Sequence, residues 1–169
     1  MNIVLIGYRG TGKSVVGACV AARLGLQCVS MDAEIVARAG MPIPDLVAQS
    51  GWPAFRDLES VVARDFAGRD GLLIDCGGGV IERPDNIEAL RANGLIIWLQ
   101  ASVATIVARI HGDTQRPALT SGKSFTEEVA EVLERREPKY RSAAHETIAT
   151  DGLTPEQVAD RIVAIYQAQ

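Results

Sequence analysis

Residues 2–24 constrain this chain more than any other stretch. Asn2 to Ile6 is a short apolar run stopped by glycine, which reads as a strand buried on both faces. Residues 7–14, GYRGTGKS, follow and fit the pattern G-x4-G-K-[ST] through Gly7, Gly12, Lys13 and Ser14. Residues 13–24 then take up helical spacing. In a strand–glycine loop–helix unit, backbone N–H groups curl around phosphate oxygens and the helix aims its positive end at the same point. The backbone of Gly10, Thr11, Gly12, Lys13, Ser14 and Val15 is therefore expected to cradle a triphosphate. Lys13 would reach the β- and γ-phosphates and Ser14 would ligate Mg²⁺. ATP and Mg²⁺ are the expected cofactors.

The rest of the chain alternates strand and helix. Further strands are expected at 27–31, 71–75, 94–100 and 146–150. Helices are expected at 33–39, 43–50, 53–67, 85–93, 102–111, 125–137 and 155–167. Thr154 and Pro155 mark the start of the last of these as N-cap and first helical residue. The alternation implies an α/β fold with a parallel sheet in a single domain, 1–169. Residues 112–124, polar and aperiodic, form the one long loop, and such loops are commonly functional.

Composition narrows the function. The net charge of −4 and the scattered basic residues argue against nucleic acid. No apolar run is long enough for a membrane span, and the N-terminus has no signal-peptide pattern. Cys19, Cys28 and Cys76 are an odd, widely spaced set, expected to be buried thiols in a reducing, cytoplasmic compartment. Nothing demands more than a monomer.

A GTPase reading fails because no N-K-x-D guanine motif occurs in the chain. A small-molecule kinase fits the length, and its acceptor pocket is expected at the carboxyl ends of the strands. Asp32, Arg56 and the glycines 77–79 are the pieces available there. Three glycines directly after a strand suit a backbone that a ligand approaches closely.

At these residues the chain resembles shikimate kinase along essentially its whole length. The matching segments are GYRGTGKS (7–14), DAEI (32–35), FRDLE (55–59), GGG (77–79), RPAL (116–119) and REPKY (136–140). The resemblance implies a three-layer α/β/α P-loop fold of the nucleoside monophosphate kinase kind, with a five-stranded parallel sheet. It implies phosphorylation of the 3-hydroxyl of shikimate by MgATP, with residues 32–60 as the substrate-binding segment and 112–124 as a mobile lid. Asp32 would hold the reacting hydroxyl. Arg56 and Arg136 would grip the carboxylate, Gly78 would add a backbone contact and Glu59 would support them. Arg116 would swing in to touch the transferring phosphate, and Arg109 and Pro155 would flank the adenine. Two other readings stay open: a kinase of another small acidic polyol or a nucleotide, with gluconate as an example of the former, and a weakened relative that binds without turnover.

The chain departs from the family pattern at the strand tips. Asp-x-Asp is usual at the end of the second strand, whereas Ser30-Met31-Asp32 stands here. The third strand ends in Asp75-Cys76, where Ala-Thr is usual. Asp75 is therefore a candidate replacement for the missing metal-side carboxylate. Adjacent strand residues face opposite sides of a sheet, which raises the objection that Asp75 points away. Trp52 and Lys139 are smaller departures, standing where an acid and an apolar residue are usual. His111 and His145 lie in no motif and are expected to be solvated or structural.

Overall fold

The computed structural model describes residues 1–111 and 124–169. Five strands form one sheet: β1 (Asn2–Ile6), β2 (Gln27–Ser30), β3 (Leu72–Asp75), β4 (Gly94–Gln100) and β5 (Glu146–Ala149). All neighbours are parallel, in the order β2-β3-β1-β4-β5. The helices are α1 (Lys13–Leu24), α2 (Met31–Ala39), α3 (Ile43–Ala67), α4 (Pro84–Ala92), α5 (Val103–Ile110), α6 (Phe125–Ala143) and α7 (Pro155–Gln167), with a 3₁₀ turn at Val80–Glu82.

The central strand β1 is buried at every position, as a sheet covered on both faces requires. Its residues alternate between two cores. Val4 and Ile6 join Phe55, Val62, Ile74, Ile96 and Tyr140 under α3 and α6. Ile3 and Leu5 join Val16, Val20, Ile97, Val158 and Ile162 under α1 and α7. Parallel strands need crossovers, so every strand tip points the same way and the loops after them gather at one edge. The loop after β1 lies between β3 and β4, where the chain has crossed from one side of the sheet to the other, which is where ligands bind in open α/β sheets.

Several boundaries differ from the expected ones for local reasons. Helix α2 starts at Met31 and not at 33, because the Ser30 hydroxyl caps it by accepting from Ala33 N at 3.2 Å. Asp32 thus lies in a first helical turn. Residues 43–67 run as one helical stretch interrupted at Gly51, whose φ of 82° and ψ of 168° break it just before Pro53. Helix α6 continues through Pro138 to Ala143 instead of ending at 137. The thiols correct an expectation outright: Cys76 is buried, but Cys19 is half-buried and Cys28 is exposed, and all three are free. The edge strand β2 is only partly covered, which leaves Cys28 accessible. His145 is structural, its Nδ1 accepting from Ile96 N at 2.9 Å. Among the described residues no helix is long and apolar enough to cross a membrane.

Candidate active site

The glycine loop between β1 and α1 closes on itself. Gly7 has a φ of 144°, and a Cβ there would lie 2.4 Å from Leu99 O, so only glycine lets β1 turn this close to β4. Thr11 Oγ1 donates to Tyr8 O at 2.9 Å. Lys13 is buried, and its Nζ donates to Gly7 O at 2.8 Å and Tyr8 O at 3.1 Å. The ammonium is therefore held over the loop's own mouth. Arg109 reaches in from α5 and donates to Gly10 O at 3.0 Å. Pro155 opens α7 beyond β5, at the same edge of the sheet.

A cleft of about 410 Å³ extends from the loop between Arg9, Lys13, Ser14, Asp32, Asp75 and Gly78. Ser14 Oγ donates to Asp75 Oδ2 at 2.5 Å, which removes the objection that Asp75 points away. Burial pushes the Asp75 carboxyl up; Lys13 and the Ser14 hydrogen bond pull it back, and Asp32 adds to the rise.

The expected arginine pair converges on the glycines after β3. A Cβ on Gly78 would lie 3.4 Å from Arg136 Nη1. A Cβ on Gly79 would lie 2.3 Å from both Arg56 Nη1 and Nη2. The two guanidinium groups thus flank successive residues of one strand tip, though 80 residues separate them in sequence. Arg56 is fixed by Glu59 at 2.8 Å, the carboxylate fully buried, and by the rings of Trp52 and Phe55, 5.4 and 5.1 Å from its guanidinium carbon. Trp52, a departure from the family pattern, is thus one wall of that arginine's seat. Arg136 lies 5.9 Å from the Tyr8 ring and 3.8 Å, through Nε, from Glu82.

Three site residues escaped the sequence reading. Glu82 faces Arg135, Arg136 and Lys139 at 3.6, 3.8 and 3.2 Å. Its burial works against ionisation, but the three cations outweigh that and hold its carboxyl below the usual range. Lys139, another departure, has this carboxylate as its partner. Tyr140 donates to Gly78 O at 2.5 Å and fixes the glycine tip to α6. Arg9 lines the cleft from within the loop and stacks 6.0 Å from Phe125; among the described residues its Nη1 has no hydrogen-bond partner. Arg9 and Tyr140 stand inside the matching segments 7–14 and 136–140, which gave them a signal; Glu82 had none. Arg116 and lid residues 112–123 lie outside the described residues.

The arrangement joins an anion cradle with an aimed ammonium, a hydroxyl–carboxylate pair, and two guanidinium groups at the glycine tip that borders the same cleft as Asp32. It can hold a polyphosphate on one side and a small carboxylate-bearing molecule on the other. Comparison with known proteins agrees. The shikimate kinase family model matches residues 9–167. A shikimate kinase of Nitratidesulfovibrio vulgaris is 43% identical over 155 residues, covering 89% of this chain and 87% of that one. One from Caldicellulosiruptor bescii is 34% identical over 168 residues, covering 99% and 96%. The solved shikimate kinase from Acinetobacter baumannii, in complex with shikimate, superposes with a TM-score of 0.94 at 32% identity, over 99% of this chain and 93% of that one. With a matching family model over nearly its whole length and a site of the corresponding chemistry, the chain belongs to the shikimate kinase family.

Proposed function

We propose that the protein transfers the γ-phosphoryl group of ATP to the 3-hydroxyl of shikimate, giving ADP and shikimate 3-phosphate. The observation that carries this reading is the convergence of Arg56 and Arg136 on Gly78 and Gly79, beside the cleft that holds Lys13 and Asp32. Two guanidinium groups grip a carboxylate bidentately and so fix the orientation of the ring that bears it. Orientation matters most, because phosphoryl transfer passes through a loose transition state in which positioning and charge stabilisation dominate.

Asp32 stands in the first turn of α2 and lines the cleft. It holds the acceptor O–H and takes its proton as the new O–P bond completes and the bond to the β,γ-bridging oxygen breaks. Carboxylates are weak bases toward alcohols, so positioning is its larger contribution. Lys13 meets the charge developing on the γ-phosphoryl oxygens. Ser14 and Asp75 offer hydroxyl and carboxylate oxygens side by side, the hard donor set Mg²⁺ prefers, so the residues fit that ion. When bound, Mg²⁺ neutralises charge on the β- and γ-phosphate oxygens. We assign Arg116 to the transferring phosphate, Arg109 and Pro155 to the adenine, and the 112–124 segment to a lid that excludes water. We assign the protein as a monomer working in the cytoplasm, where ATP is supplied.

Coupled ADP release decides the reading. ADP is expected with shikimate and not with gluconate or nucleoside monophosphates; equal turnover of gluconate, or ATP binding without turnover, overturns it. A narrower test concerns Gly79, whose φ of −97° suits alanine, so that Gly79→Ala acts through space alone. Its methyl displaces the Arg56 guanidinium, and misplacement by an ångström costs on the order of 10²-fold in kcat/KM for shikimate. The KM for ATP should stay unchanged in the same steady-state measurements.

A further inference from the structure

We propose that Asp75, at the tip of β3, supplies the protein carboxylate of the magnesium site, the place that a carboxylate at position 30 on the neighbouring strand would otherwise serve. The inference deepens the kinase reading and rests on it.

Ser14 carries the first argument. Its hydroxyl is the loop's metal-side oxygen, and it contacts Asp75 Oδ2 at 2.5 Å. Among the described side chains no other carboxylate touches it. The second argument is register. β2 and β3 pair in parallel with Ser30 opposite Asp75 and Val29 opposite Ile74. Register partners on neighbouring strands project to the same face of a sheet, about 4.8 Å apart. An acid at either position therefore serves the same corner of the cleft, and moving it across one strand changes its origin by less than the length of its side chain and a bound water.

Ser30 is not equipped for the task. It is neutral, and its oxygen is occupied in capping α2 at Ala33 N. Asp32, the other acid of the cleft, stands in the first turn of α2, and the proposed function commits it to the acceptor hydroxyl. Asp75 is only 9% exposed, and a carboxylate withdrawn from water to that degree is costly without cationic company. Lys13 supplies part of that company, and the ion supplies the rest.

Mn²⁺ binding followed by electron paramagnetic resonance, with ADP saturating, tests the assignment without turnover. The variants are Asp75→Asn, Asp75→Ser, and the exchange Ser30→Asp with Asp75→Ser. The single variants are expected to weaken Mn²⁺ about 10- to 100-fold, while the exchange restores it to within about fivefold of the parent. ADP affinity measured without metal should be unchanged in all three, which shows the cradle intact. Parent-like Mn²⁺ affinity in both single variants overturns the proposal, and so does an exchange variant no tighter than Asp75→Ser alone. Should Asp75→Asn fail to fold, the comparison of Asp75→Ser with the exchange decides. A parent protein that releases no ADP with shikimate counts against the functional reading instead, and the Mn²⁺ titration still locates the carboxylate.

Discussion

Lys13→Met is expected to lower kcat by about 10³-fold, the effect of removing one charge-stabilising donor from a preorganised site. Methionine matches the length of the stem, and the position is buried, so the fold accepts it. The ammonium is held by Gly7 O and Tyr8 O before any ligand arrives, and it turns from those carbonyls to phosphate oxygens. Losing these two bonds costs about 1 kcal/mol each, which lowers the melting temperature by several degrees for a chain of this size. Thr11 still holds Tyr8 O, so the loop keeps part of its closure. Steady-state kinetics and thermal unfolding check both numbers. A kcat within tenfold of the parent's would show that the ammonium does not meet the transferring group.

The same residues explain how an acidic chain handles two anions. The net charge is −4, yet Arg9, Lys13, Arg56 and Arg136 gather around the cleft and the glycine tip after β3. Two carboxylates line this basin, Asp32 and Asp75, both set at strand or helix tips. The supporting acids Glu59 and Glu82 stand behind the arginines and fix their direction. Local potential, not net charge, governs which ligand enters a cleft.

What could be read ahead of the structure follows from the range over which each feature is encoded. The glycine loop, its lysine and the strand before it are contiguous, so the physics of phosphate binding is written in residues 2–24 and the structure places them as expected. Strands β1, β3 and β4 were equally legible, because strands buried on both faces are bare apolar runs, whereas the part-exposed edge strands β2 and β5 carry polar residues and a fainter pattern. Asp32 was visible as a residue but not as a helical one, since the cap at Ser30 depends on how β2 ends. The Gly51 break was anticipated as a gap between two helices, because glycine followed closely by proline disfavours a continuous one. Pro138 misled for the same reason: the rule that proline ends a helix yields where the helix is anchored on both sides, by Arg136 at the site and Tyr140 at Gly78. Glu82 had no local signature at all. Its partners lie more than fifty residues away on α6, and only the 3₁₀ turn after Gly79 brings it to them.

Arg56→Leu should produce the second large effect, and a double variant divides it into two parts. Arg56 faces Glu59 at 2.8 Å, with side-chain exposures of 13% and 0%. Removing one member of such a buried pair costs about 3–5 kcal/mol, because the remaining charge loses a cation that offsets its burial. At 2–4 °C per kcal/mol, the melting temperature should fall by about 10 °C. Arg56→Leu with Glu59→Leu removes the charge as well, and replacing a buried pair by apolar residues is often neutral. Stability should therefore return in the double variant. Shikimate affinity should not. A charge-assisted bidentate contact to the carboxylate is worth up to about 3 kcal/mol, so both variants should bind shikimate about 10²-fold more weakly while ATP affinity holds. Thermal unfolding and calorimetric titration with each ligand separate the two losses. A double variant that recovers shikimate binding along with its melting temperature would make Arg56 a strut for Glu59 and leave Arg136 alone to hold the carboxylate.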